Sequence, residues 1–154
     1  MIALKTESEI AKMREAGLVV GKTLELLHNA AQPGISTGEL DAIAEQHIRD
    51  SGAVPSFKGY QGFPASICVS INDEIVHGIP DRSRVLRDGD IISLDCGAIV
   101  DGWHGDSAIT VPVGEIAPEL HRLLAVCEEA LWRGIGAAEL GVPLRGTAGP
   151  IIER

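Results

Sequence analysis

The stretch IISLDCGAIVDGWHGDSAIT, from Ile91 to Thr110, restricts the fold more than any other part of the chain. Asp101-Gly102 sits between Val100 and Trp103. That dipeptide suits a two-residue type I′ turn, which needs positive φ at both central positions. A hairpin closed there sets the register of both strands. Val100 pairs with Trp103, Asp95 falls opposite Ala108, and Asp106 lies two positions from Ala108 on the same face. The two carboxylates are then diagonal cross-strand neighbours, roughly 7–8 Å apart at the backbone. Two like charges on one apolar face repel and lose hydration, and a divalent cation removes both penalties. A lone strand aspartate more often caps a turn, pairs with an arginine or faces solvent. Here Asp95 interrupts the run Ile91, Ile92, Ser93, Leu94, Asp95, Cys96, which suggests a strand covered on both faces. Metal ligation by Asp95 and Asp106 is therefore the expectation.

The 154 residues suit a single domain over positions 1–154, with about two-thirds of the unfolded surface buried if the fold is complete. A net charge of −9 and the lack of a basic stripe argue against DNA or RNA as a partner. Cys68, Cys96 and Cys127 are odd in number, widely spaced and without a CxxC motif, which fits reduced thiols and a cytoplasmic location. The N-terminus has no apolar signal core, and no run approaches the ~18 apolar residues of a membrane span, so neither export nor membrane association is expected.

Thr6 with Glu9, and Ser36 with Glu39, are capping boxes that open two helices. The first carries the stripe Ile10, Met13, Gly17, Val20, Leu24, Leu27 and stops at Pro33-Gly34. The second has Leu40, Ile43, Ala44, His47 and Ile48 on its inner face and ends at Gly52. SICVSIN alternates as a strand, and a third helix starts at Pro118, with Leu120, Leu123, Leu124, Cys127 and Leu131 in register. Gly146, Gly149 and Pro150 then fall where a fourth helix would be growing, so the chain reads as cut off on its C-terminal side.

Three further features carry chemistry. His77 lies in NDEIVHGIP, on a loop or strand end closed by Pro80, where a histidine either faces a ligand or sits on the surface. His104 shares the parity of Asp106, so geometry permits it as a third ligand or as a mere surface group. Phe57, Tyr60 and Phe63 are three of only five aromatic residues, closely followed by Cys68. They line an apolar ligand pocket or simply anchor their loop.

Taken together, GFPASICVSINDEIVHGIP, LRDGDIISLDCG and DGWHGD resemble the type I methionine aminopeptidases of peptidase family M24, across nearly the entire chain to about Leu144. The resemblance implies an α+β pita-bread fold, here its N-terminal half, with a curved, antiparallel-rich sheet and covering helices. It implies hydrolytic, metal-dependent removal of the N-terminal methionine from nascent proteins and peptides in the cytoplasm, with a ribosome-proximal place among the expectations. By the same resemblance Asp95 and Asp106 are ligands of two divalent ions, whether cobalt, manganese, iron or zinc. His77 contacts substrate and assists catalysis, Tyr60, Phe63 and Cys68 build the methionine pocket with Phe57 at its margin, and His104 falls on a non-ligand position. The family's remaining ligands, one histidine and two glutamates, belong to a C-terminal half not found here. The chain alone is therefore expected to be silent or nearly so and prone to self-association. A non-catalytic peptide-binding module of the same fold, or an X-Pro aminopeptidase or prolidase relative, are the alternatives.

Overall fold

Both capping boxes form, and they fix where the chain turns from coil to helix. In this computed structural model, which describes residues 3–143 and Gly146, helix α1 spans Glu7–Ala30 and helix α2 spans Thr37–Asp50. At α1, Thr6 Oγ1 accepts from the Glu9 amide at 3.3 Å while Glu9 Oε2 accepts from the Thr6 amide at 2.7 Å. At α2 the equivalent Ser36–Glu39 bonds measure 3.2 and 2.9 Å. Two amides per helix that would otherwise lack partners are thereby satisfied. The sequence readings of the tail at Leu144, Gly149 and Pro150 lie outside the described residues.

The chain forms two compact units, Met1–Glu115 and Ile116–Arg154. The first holds α1, α2 and an antiparallel sheet of β1 (Val54–Pro55), β2 (Ile67–Ile71), β3 (Ile91–Val100) and β4 (Trp103–Pro112). Strand β3 is central. Its whole length pairs with β4, from Ile91↔Pro112 to Val100↔Trp103, through a turn in which Asp101 and Gly102 take φ of 48° and 81°. The type I′ expectation is met, and so is the register it implies: Asp95 opposes Ala108 and Asp106 opposes Gly97.

The other edge of β3 is shared. β2 pairs with Ile92–Cys96 and β1 with Ala98–Ile99, so the two short strands lie end to end along one edge. Between them residues 56–66 leave the sheet at the level of Gly97, whose carbonyl accepts from the Ser56 amide at 3.0 Å.

Alternation along β3 sorts the two faces. Ile92, Leu94, Cys96 and Ala98 are fully buried beneath the helices with Val20, Leu24, Leu27, Leu40, Ala44 and Ile48. Ser93 and Asp95 point to the opposite face and are only partly covered, which modifies the expectation of a strand buried on both sides. On α1 the apolar stripe also outruns the core, since Ile10 and Met13 stay exposed and burial begins at Ala16. Thr23, fully buried, donates to the Val19 carbonyl at 2.8 Å and bonds His47 Nδ1 at 2.9 Å, which ties α1 to α2.

Helix α1 crosses β4 at Gly105, where an added Cβ would lie 2.6 Å from the Ala16 carbonyl carbon and 2.6 Å from the Gly17 amide nitrogen. Those neighbours are backbone, so no rotamer can yield. Gly105→Ala is accordingly expected to cost about 3 kcal/mol, at the upper end for overpacking, and to lower the melting temperature by roughly 10 °C. An unchanged thermal unfolding curve would contradict this close approach.

The second unit contains α3 (Pro118–Gly136), with proline in the first turn as expected. No residue of α3 is buried, and its Leu123, Leu131, Trp132 and Ile135 expose half or more of their surface.

Candidate active site

The sheet face away from the helices carries a row of polar groups at the middle of β3. Cys68 pairs with Asp95 and Asp95 with Ala108, placing Cys68 and Asp95 side by side, with Asp106 diagonal to Asp95 two pairs further along. Burial, the Asp106 charge and, in opposition, His77 all act on Asp95, and the net effect holds its carboxyl above the usual carboxylate range. Burial first, then Asp95 and Asp106, push the Cys68 thiol up to about 11, so it stays protonated and neutral at physiological pH. Among the described residues neither aspartate has a lysine or arginine ion pair. Only His77 offsets the negative charge, an arrangement that suits a bound cation.

His77 is brought in by the loop that follows β2. The Gly78 carbonyl accepts from the Val69 amide at 2.9 Å, and the Gly78 amide donates to Ser70 Oγ at 3.1 Å, so this loop lies along β2 as a further partner. Arg84 pins its flank by an ion pair with Glu74 and a 3.2 Å bond to the Ile79 carbonyl. His77 itself adopts φ of 61°, a left-handed conformation that costs a non-glycine residue free energy and is concentrated at functional sites.

Residues 56–66 form the facing wall. Gly59, Gln61 and Gly62 take φ of 86°, 48° and 86°, which coil the segment into a short 3₁₀ turn at Tyr60–Gly62. Phe57 and Phe63 are half-buried, and Tyr60, 67% exposed, stands at the rim.

A cavity of about 630 Å³ results, within the ordinary range for small-ligand sites. The seven residues that the family resemblance assigned to the site all line it: Phe57, Tyr60 and Phe63 from the 56–66 segment, Cys68, Asp95 and Asp106 from the sheet, and His77 from the loop after β2. Gln61, Gly62, Pro64 and Ile79 line it as well. They went unread although Gln61, Gly62 and Pro64 each adjoin a residue that was picked and Ile79 lies two positions from His77. His104 pairs with Ile99, is exposed, and does not line the cavity, so the geometric reading of it as a third ligand fails. Among the described residues no group of three or more histidine, cysteine, aspartate or glutamate side chains forms a complete metal cage.

Comparison with known proteins shows what the chain is similar to. Residues 11–148 match the description Metallopeptidase family M24, a span that runs across both compact units. Methionine aminopeptidase 1 of Bacillus subtilis is 57% identical over 141 residues, and the methionine aminopeptidase of Clostridium acetobutylicum is 52% identical over 141 residues. In both cases the match takes in 92% of this chain and 56% of the relative, so the chain spans little more than half the length of these proteins. The crystal structure of methionine aminopeptidase from Rickettsia prowazekii superposes with a TM-score of 0.85 at 38% identity, over 88% of this chain and 54% of that one.

Proposed function

The chain belongs to metallopeptidase family M24, and on that premise we propose that it carries the Asp95, Asp106 and His77 portion of a site that hydrolyses the peptide bond after an N-terminal methionine. The observation that carries this reading is the convergence on one cavity of two carboxylates, a rim histidine and an aromatic wall.

Each group has a task in that chemistry. Asp95 and Asp106 would hold a pair of divalent ions, because hard oxygen donors with net negative charge suit manganese, iron, cobalt or zinc and the adjacent Cys68 thiol is neutral. When bound, such ions acidify a water toward neutral pH and polarise a carbonyl. His77 lies exposed at the rim, where its ring can donate a hydrogen bond to the scissile peptide group and steady the developing oxyanion. Phe57, Tyr60, Phe63 and Cys68 enclose the substrate's first side chain in an apolar slot, which favours methionine over polar residues. The N-terminal peptides of newly made proteins, presented near the ribosome, are the natural substrates on this reading. No helix among the described residues is long and apolar enough to cross a membrane.

The test is release of methionine from a Met-Gly peptide by the protein isolated from its own cells. Release is expected to stop with a chelator and to resume with Mn²⁺ or Co²⁺. Chelator-resistant release, or equal release of alanine from Ala-Gly, would overturn the reading. A polypeptide of residues 1–154 alone is expected to be silent in the same assay, since two carboxylates fall short of the six or so ligands that such ions require.

A further inference from the structure

The aromatic wall is held in place by helix α2 rather than by its own bonds. Asp41 Oδ1 accepts from the amides of Ser66 and Ile67 at 2.7 and 3.0 Å, which fixes the point where the wall rejoins the sheet. One helical turn later Glu45 Oε2 accepts from Lys58 Nζ at 2.6 Å, next to Phe57, while its Oε1 takes the Arg49 guanidinium at 2.8 Å. Positions four apart lie on one helix face, so a single stripe of α2 grips both arms of the wall.

The third attachment is at Gly97. A Cβ there would sit 2.0 Å from Ser56 Oγ and 2.7 Å from the Phe57 ring, so glycine lets Phe57 close down beside the carboxylates. Inside the excursion only short-range bonds occur, such as Gly59 amide to Phe63 carbonyl at 2.8 Å. These fix the shape of the wall but not its distance from β3.

Asp41 is half-buried, and burial raises its carboxyl above the ordinary range in spite of the two amides. Ser66 beside it is fully buried, and its hydroxyl has no hydrogen-bond partner among the described residues. Loss of the Asp41 carboxylate would leave two amides unpaired beside a hydroxyl that already has no partner, so the wall would have to shift there.

We propose that Asp41 and Glu45 are positioning residues for the side-chain pocket: by gripping residues 56–66 from α2 they set the width of the slot between Phe57, Tyr60, Phe63 and Cys68, and with it which N-terminal side chain is accepted. The proposal rests on the reading of this cavity as a methionine pocket, and neither carboxylate touches substrate.

Two measurements on the native protein test it. In Asp41→Ala, amide exchange at Ser66 and Ile67 rises about tenfold or more, while exchange along β3 and β4 stays as in the parent. In the same variant the ratio of kcat/KM for Met-Gly over Ala-Gly peptides falls about fivefold, through KM and with little change in kcat. Asp41→Asn keeps an acceptor oxygen of the same shape and restores both values, and Lys58→Ala shifts the ratio in the same direction by less. Raised exchange with an unchanged ratio makes Asp41 a purely structural anchor and overturns the proposal, as does unchanged exchange. If Asp41→Ala does not fold, Lys58→Ala decides, and an unaltered ratio there overturns it. A parent protein that does not distinguish the two peptides refutes the methionine reading instead, and the exchange measurement still judges the grip.

Discussion

Asp106→Asn and Asp95→Asn are each expected to lower peptide hydrolysis by roughly three orders of magnitude or more, since the several kcal/mol of charge stabilisation that bound ions supply is lost with them. Asparagine keeps the shape of the side chain and removes its charge, so metal content, measured on the purified variant, should fall in parallel. The metal-free fold should respond in the opposite direction. Asp95 is held above its reference value of 3.8 by burial and by Asp106, so the folded state binds that proton more tightly than the unfolded chain does. This penalty is absent below pH 3.8 and grows as pH rises through the raised folded value, so at neutral pH it works against folding. Asp95→Asn removes the penalty, and solvent screening of a half-exposed group keeps the gain small. One substitution should thus destroy activity and slightly stabilise the chelator-treated protein. Retained turnover, or a lower unfolding midpoint without metal, would dispose of the assignment.

His77→Ala should separate from these two. The expected fall in kcat is about 10²–10³, the usual consequence of removing one donor to a developing oxyanion, and the metal content should not change. Alanine at φ of 61° bears much the same strain as histidine, so stability should hardly move. His77→Gly supplies the complementary control: it relieves the strained backbone, and should give a slightly more stable protein with the same catalytic defect. Normal kcat in either variant would mean that the strained loop serves the fold and not the reaction.

The parts of the site that could be read in advance are those governed by short-range rules. A two-residue turn fixes the register, strand periodicity fixes the faces, and together they place Asp95 and Asp106 on one side without knowledge of any other element. The helices were equally legible, since each cap lies within four residues of the group that it satisfies. What could not be read depends on contacts between distant positions. Asp41 meets Ser66 and Ile67 across 25 and 26 residues, and nothing in the local pattern marks it as different from any exposed helix aspartate. β1 is two residues long and contains a proline, too short for alternation to register. The positive φ of Gln61 has no sequence signal, and that of His77 only the weak tendency of histidine toward left-handed backbone. In α3 the helical period correctly gave the element, yet its apolar face is not buried among the described residues, since periodicity reports the side a helix would cover and not whether it is covered.

The end-to-end placement of β1 and β2 on one edge of β3 also bears on how such a protein changes over generations. Every ladder bond of β3 is made by residues outside the 56–66 excursion apart from the Ser56–Gly97 link, so insertions, deletions or new side chains within the excursion leave the strand register and the carboxylates where they are. Even a doubling of its length would add only about 0.6 kcal/mol of closure entropy. On the proposed function, the residues that select a side chain and those that hold the ions can then change separately. A change of preference for the first residue then needs alterations only within those eleven positions, with the hairpin left as it is.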